Sequence, residues 1–115
     1  MKVAVVGSRA LRIEHLEKYL PENTTEIVSG GALGVDRCAA EHARKKGLKL
    51  TEFLPEYALY GKRAPLVRNI EIIEYADLVL AFWDGQSRGT AFVIRECQHR
   101  KIPIKIFTST WAAAD

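Results

Sequence analysis

Apolar strand-like runs and helix-length segments alternate along nearly all of this chain, and that alternation limits its fold more than any single motif. Lys2 to Val6 is almost continuously apolar, as a strand covered on both faces must be. Thr25 to Ser29, Leu48 to Leu54, Asp77 to Phe82 and Ile102 to Phe107 are the other runs. Four helical patterns lie between them. Leu11 to Leu20 carries Ile13, Leu16 and Leu20 on one face, and Val35 to Lys46 carries Val35, Ala39, Ala40 and Ala43 before stopping at Gly47. Ala64 to Tyr75 has Leu66, Ile70 and Ile73 as its stripe, and the fourth pattern runs from Gly89 to Arg100. Pro55 to Arg63 reads as a loop, and Pro103 suits a strand at a sheet edge. This order predicts an α/β fold, a doubly wound parallel five-stranded sheet with helices on both faces and strand order 3-2-1-4-5.

With 115 residues, one domain is expected over residues 1–108, followed by a short tail at 109–115. Seventeen basic and 14 acidic residues leave a net charge of +3. That balance suits a small anionic ligand and permits nucleic acid, but no dense Lys/Arg run offers a basic tail. No apolar run approaches the ~20 residues of a membrane span. Met1-Lys2 leads straight into the first strand without a signal-peptide pattern, so a cytoplasmic protein with no membrane partner is expected. Cys38 and Cys97 match no metal or redox spacing and read as buried free thiols; no metal is expected. His15, His42 and His99 lie among charged helical residues and read as exposed.

Sheets of this kind bind ligands beyond the carboxyl ends of their strands, where the strand order reverses, here between the first and fourth strands. Ser29-Gly30-Gly31-Ala32-Leu33-Gly34-Val35-Asp36 joins a strand to a helix at that end. Its glycines leave backbone N–H groups open to a ligand, and the new helix adds its positive dipole end. The loop is therefore an anion site or a tight turn that needs glycine for its φ angles. Gly7-Ser8-Arg9 places a guanidinium after the central strand, where it could fork onto phosphate. Asp84-Gly85-Gln86-Ser87-Arg88-Gly89-Thr90 repeats the strand-to-helix arrangement, with Ser87 or Thr90 as a helix cap or a phosphate contact. Asp84 beside a phosphate wants a ribose hydroxyl or an arginine such as Arg68 or Arg88. Arg68-Asn69 lies off the stripe of its helix. Trp83, Tyr57 and Tyr60 either stack on a base or pack. Asp36 either complements the helix dipole or faces the ligand.

Together these loops resemble the SLOG superfamily of Rossmann-like proteins, which takes in the DNA-processing protein A (Smf) family and the lonely-guy phosphoribohydrolases. The resemblance is to the small single-domain YspA-type branch in particular. It rests on Gly7-Ser8-Arg9, Ser29-Gly30-Gly31-Ala32 with Gly34-Val35-Asp36, Arg68-Asn69, and Ala81-Phe82-Trp83-Asp84-Gly85 with Ser87 and Gly89-Thr90. It implies a nucleotide or nucleotide-derived ligand in the crevice. Lonely-guy enzymes carry a glutamate soon after a Pro-Gly-Gly-x-Gly-Thr motif. Here apolar residues follow Thr90, and the next acid is Glu96.

The expected function is binding or sensing of a phosphorylated nucleoside or an ADP-ribose-like molecule, with no cofactor. Gly30, Gly31, Gly34, Gly89 and Thr90 would contact phosphate through the backbone, and Arg9, helped by Arg68, would neutralise it. One alternative is a nucleotide N-glycosidic hydrolase, for which Asp36 and Asp84 are the candidate catalytic carboxylates. Another is single-stranded DNA binding through the same loops. Self-association is expected through a helix face such as the one bearing Phe92 and Ile94.

Overall fold

The structure is a computed structural model and describes residues 1–108. The tail expected at 109–115 lies outside the described residues. β1 (Lys2–Gly7) shows how the two cores arise. Its alternating side chains send Val3 and Val5 into one apolar cluster and Ala4 and Val6 into the other. β4 (Leu78–Trp83) divides in the same way, with Leu78, Leu80 and Phe82 on one face and Val79 and Ala81 on the other. With β2 (Glu26–Ser29), β3 (Lys49–Glu52) and β5 (Ile104–Thr108) these strands form one parallel sheet in the order β3-β2-β1-β4-β5. This is the expected order. β3 and β5 are the edges and are only partly covered, whereas β1, β2 and β4 are buried. Pro103 precedes β5, and its carbonyl accepts the Val79 N–H at 3.0 Å.

α1 (Val35–Lys46) lays Val35, Ala39 and Ala43 on the first face of the sheet. α3 (Ala64–Tyr75) and α4 (Arg88–Arg100) cover the second face with Ile72, Ile73, Val93, Ile94 and Cys97. Two expectations about these stripes change. In α3 Ile73 is buried and Ile70 packs on the core as expected, but Leu66 is exposed and Ile72 is buried in addition. Ile94 is core and so is not available for self-association, whereas Phe92 on the same helix is half-buried. A four-residue helix, α2 (Tyr57–Tyr60), and a 3₁₀ turn at Gly61–Arg63 occupy the segment expected to be a loop.

The helix expected over Leu11 to Leu20 is absent. The segment is irregular, with one 3₁₀ turn at Leu16–Lys18 after His15 in the left-handed region at φ 57°. A helix that turned Ile13, Leu16 and Leu20 inward would carry Leu11 on its opposite face. The irregular path buries Leu11 and Leu16 together, and the Leu11 N–H donates to the Ser8 carbonyl. Ile13 N–H donates to Cys38 Sγ at 3.4 Å, and Cys38 is half-buried rather than buried. Cys97 is buried, and burial pushes its thiol up to about 11. His42 is also half-buried, 4.0 Å from Glu17, and burial holds its imidazole below the usual range. No described helix is long and apolar enough to cross a membrane.

Candidate functional site

Parallel pairing brings every strand's carboxyl end to one edge, and there the loops enclose a crevice of about 400 Å³. Gly7 closes β1 at the only size the packing allows. A Cβ there would lie 2.5 Å from the Phe82 carbonyl oxygen and 2.7 Å from Val35 Cγ2. Ser8 is buried behind the crevice, where its hydroxyl accepts the Asp84 N–H at 3.1 Å. Arg9 lines the crevice and is exposed, with no ion pair or side-chain hydrogen bond among the described residues.

The glycine loop after β2 is held from beneath. Gly31 and Gly34 both sit at φ +71°, and a Cβ on Gly34 would fall 2.3 Å from the Arg9 carbonyl oxygen. Ser29 is fully buried, donating to the Asp36 carbonyl and accepting the Gly31 N–H, each at 3.4 Å. Asp36 is buried and its Oδ2 accepts the Ala32 N–H at 3.1 Å. Burial pushes the Asp36 carboxyl above the usual range, against the pull of that N–H and of the Arg68 charge. For Gly31 and Ala32 the expectation of open loop amides is therefore corrected. The Ala32 and Gly31 amides turn inward to Asp36 and Ser29.

Arg68 laces the loop to its neighbour. Its Nη1 donates to the carbonyls of Gly30 and Phe53, and its Nε donates to Asn69 Oδ1 at 2.9 Å. Gly30 is confined between this guanidinium and Asp36, since a Cβ would lie 2.5 Å from Arg68 Nη1 and 2.9 Å from Asp36 Oδ2.

The turn from β4 into α4 is built by Asp84, whose Oδ1 accepts the N–H groups of Gln86 and Ser87 at 2.8 Å each. Those bonds hold its carboxyl below the usual range. Asp84 pairs with neither Arg68 nor Arg88, and it does not line the crevice. Gly85, at φ +82°, serves the same turn. The Trp83 indole N–H donates to the Ser87 carbonyl at 3.0 Å, and its ring packs on the second core. Ser87 caps α4, its hydroxyl accepting the Thr90 N–H and its carbonyl the Ala91 N–H. That leaves the Arg88 and Gly89 amides without a partner among the described residues, at the positive end of a 13-residue helix. Gly89 lines the crevice, and beyond its chain neighbours and its own helix backbone no protein atom lies within 4 Å of where its Cβ would stand.

The crevice therefore gathers Gly7, Arg9, Gly30, Gly31, Ala32, Asp36, Arg68, Asn69, Ser87, Gly89 and Thr90. Ser8, Ser29, Gly34, Trp83, Asp84 and Gly85 stand behind it and shape the loops. Of the two carboxylates considered for hydrolysis, only Asp36 lines it. Leu54, Pro55 and Pro65 also line it, as does Tyr57. Pro55 and Tyr57 belong to the loop expected from Pro55 to Arg63, whereas Leu54 and Pro65, which flank that loop, were missed. Among the described residues no group of His, Cys, Asp or Glu could hold a metal ion. The resulting surface is rich in hydrogen-bond donors on some loops and apolar on others, and it can hold a phosphate next to a flat group.

Residues 1–80 match the family model described as DNA recombination-mediator protein A. The chain belongs to that family. Gene 61 protein of Mycobacterium phage D29 is 39% identical over an 84-residue alignment, and the match covers 68% of this chain and 67% of the phage protein. DNA processing protein A from Helicobacter pylori, solved in a study of its single-stranded DNA binding mode, shares the fold with a TM-score of 0.70 and 26% identity. That likeness covers 92% of this chain and 64% of the Helicobacter structure, so the chain spans less than two thirds of that relative. Membership of the DNA recombination-mediator protein A family agrees with the SLOG resemblance carried by the loops.

Proposed function

We propose that this chain binds single-stranded DNA in the crevice at the carboxyl edge of its sheet. The observation that carries the reading is an unpaired Arg9 sharing one crevice with the open amides at the start of α4. Arg9 supplies charge to a phosphate and the amides supply directed hydrogen bonds. Lys62 and Arg63, in the 3₁₀ turn after α2, and Arg88, the first residue of α4, are exposed on segments that follow the carboxyl ends of β3 and β4, and they add cationic charge for a backbone. The family's Helicobacter relative, studied for its single-stranded DNA binding mode, supports the strand over a free nucleotide as the ligand.

A free nucleotide is the second reading, favoured by a crevice volume that holds about one nucleotide. Titration with a single-stranded oligonucleotide at rising salt separates the two. A strand should dissociate with a logarithmic slope of about 0.7 per phosphate neutralised. A mononucleotide should show a much shallower slope, and binding of the mononucleotide alone would overturn the strand reading.

A further inference from the structure

One part of the crevice has no role in holding phosphate. Leu54, Pro55 and Tyr57, from the segment between β3 and α3, and Pro65, in the first turn of α3, line it. Tyr57 and Leu54 are each 60% exposed, whereas several rings elsewhere pair inside the fold. Tyr19, Phe82 and Phe107 contact one another, and Phe53 packs on Tyr75. Among the described residues the Tyr57 side chain has no ring partner and no hydrogen bond; only its backbone carbonyl is engaged, by the Gly61 N–H. Its helix α2 buries none of its four residues, so the fold gains no core from placing an aromatic ring there. An exposed apolar patch next to a donor-lined cavity needs a ligand that is charged on one side and flat and apolar on the other.

We infer that Tyr57, backed by Leu54, is a stacking platform for one unpaired nucleobase of the bound strand. The inference rests on the strand-binding reading. Every base has a π-face, so the platform recognises a base without naming it, and it selects for strands whose bases are free to unstack. Leu54, Pro55 and Pro65 carry no polar side-chain atom with which to read a base edge. A duplex, whose bases are already stacked, cannot use the platform.

The test compares a short single-stranded oligothymidylate with a strand of the same length made of abasic sites. Affinities for both are measured at one salt concentration with the wild-type chain, Tyr57→Ala and Tyr57→Phe. Tyr57 is exposed, so folding of all three is checked by their melting curves and should be unchanged. Loss of one stacked base should weaken oligothymidylate binding to Tyr57→Ala by roughly 5- to 150-fold. Tyr57→Phe should bind like wild type, and the abasic strand should bind wild type and Tyr57→Ala equally. If Tyr57→Ala binds oligothymidylate as tightly as wild type does, or if wild type does not distinguish the two strands, the platform is wrong and strand binding stands. If wild type binds neither strand, the strand-binding reading itself fails and takes the platform with it.

Discussion

Gly34 and Gly89 are glycines for opposite reasons. Gly34 has φ +71° and no room for a Cβ, so Gly34→Ala should destabilise the fold by at least about 1–3 kcal/mol, visible as a lower melting temperature. Gly89 has open space beside it in the first turn of α4. There alanine is the better helix former by about 1 kcal/mol, so Gly89→Ala should leave the melting temperature unchanged or raised. The same methyl group would stand where a phosphate approaches the backbone, so strand affinity should fall while stability does not. Asp36 is decided by its burial. An acid with a raised folded pKa contributes stability that is complete below its unfolded value and is lost as pH rises through its folded value. Asp36→Asn should therefore melt higher than wild type at neutral pH, with the advantage disappearing as pH falls below the ordinary value of 3.8. Melts across pH check this.

Among elements, the ends of β2 and β3 are tied to α3 by single side chains. Arg68 reaches the carbonyls of Gly30 and Phe53 with one nitrogen while another holds Asn69. Lysine has no planar fork to repeat this, so Arg68→Lys should destabilise the fold by about 1–3 kcal/mol and loosen the glycine loop. Faster amide exchange at Gly30 to Ala32 would report the loosening. At the other end of β2 the buried Glu26 accepts from Thr51 at 2.7 Å and Tyr75 at 2.5 Å, near Lys49. Burial raises its pKa, but those bonds and the charges of Lys49 and Lys2 outweigh it, and the net shift is downward. Its contribution is thus present above the unfolded pKa and lost as pH falls through the folded one, the reverse of Asp36. Glu26→Gln should lower the melting temperature at neutral pH and matter less in acid.

The same scale explains what could be read from sequence. α1 and α3 fall at their expected boundaries because Val35, Ala39 and Ala43, or Pro65 at an opening turn, agree with the helical period and with the core. The segment from Leu11 to Leu20 shows a helical stripe too, but tertiary demand for Leu11 overrides it. Loops at the carboxyl edge were legible because strand order alone places them. Which of their side chains face outward was not. Asp84 and Trp83 carry ligand-type chemistry, yet both spend their hydrogen bonds on the turn between Trp83 and Ser87.

For the whole molecule, the sheet order puts all the proposed ligand contacts on one edge and leaves the opposite edge to the short turns that enter the strands. A net charge of +3 is too small to draw a strand in from a distance, so affinity must come from the local donors in the crevice. The most direct measurement is therefore amide chemical-shift mapping during titration with a short single-stranded oligonucleotide. Binding in the crevice predicts the largest shifts at Arg9, Gly30 to Ala32, Tyr57 and Arg88 to Thr90, and their loss in Arg9→Gln at moderate salt. Shifts centred instead on the far end of α1, at Arg44 to Lys46, or spread evenly over surface lysines and arginines would contradict a built site at the carboxyl edge.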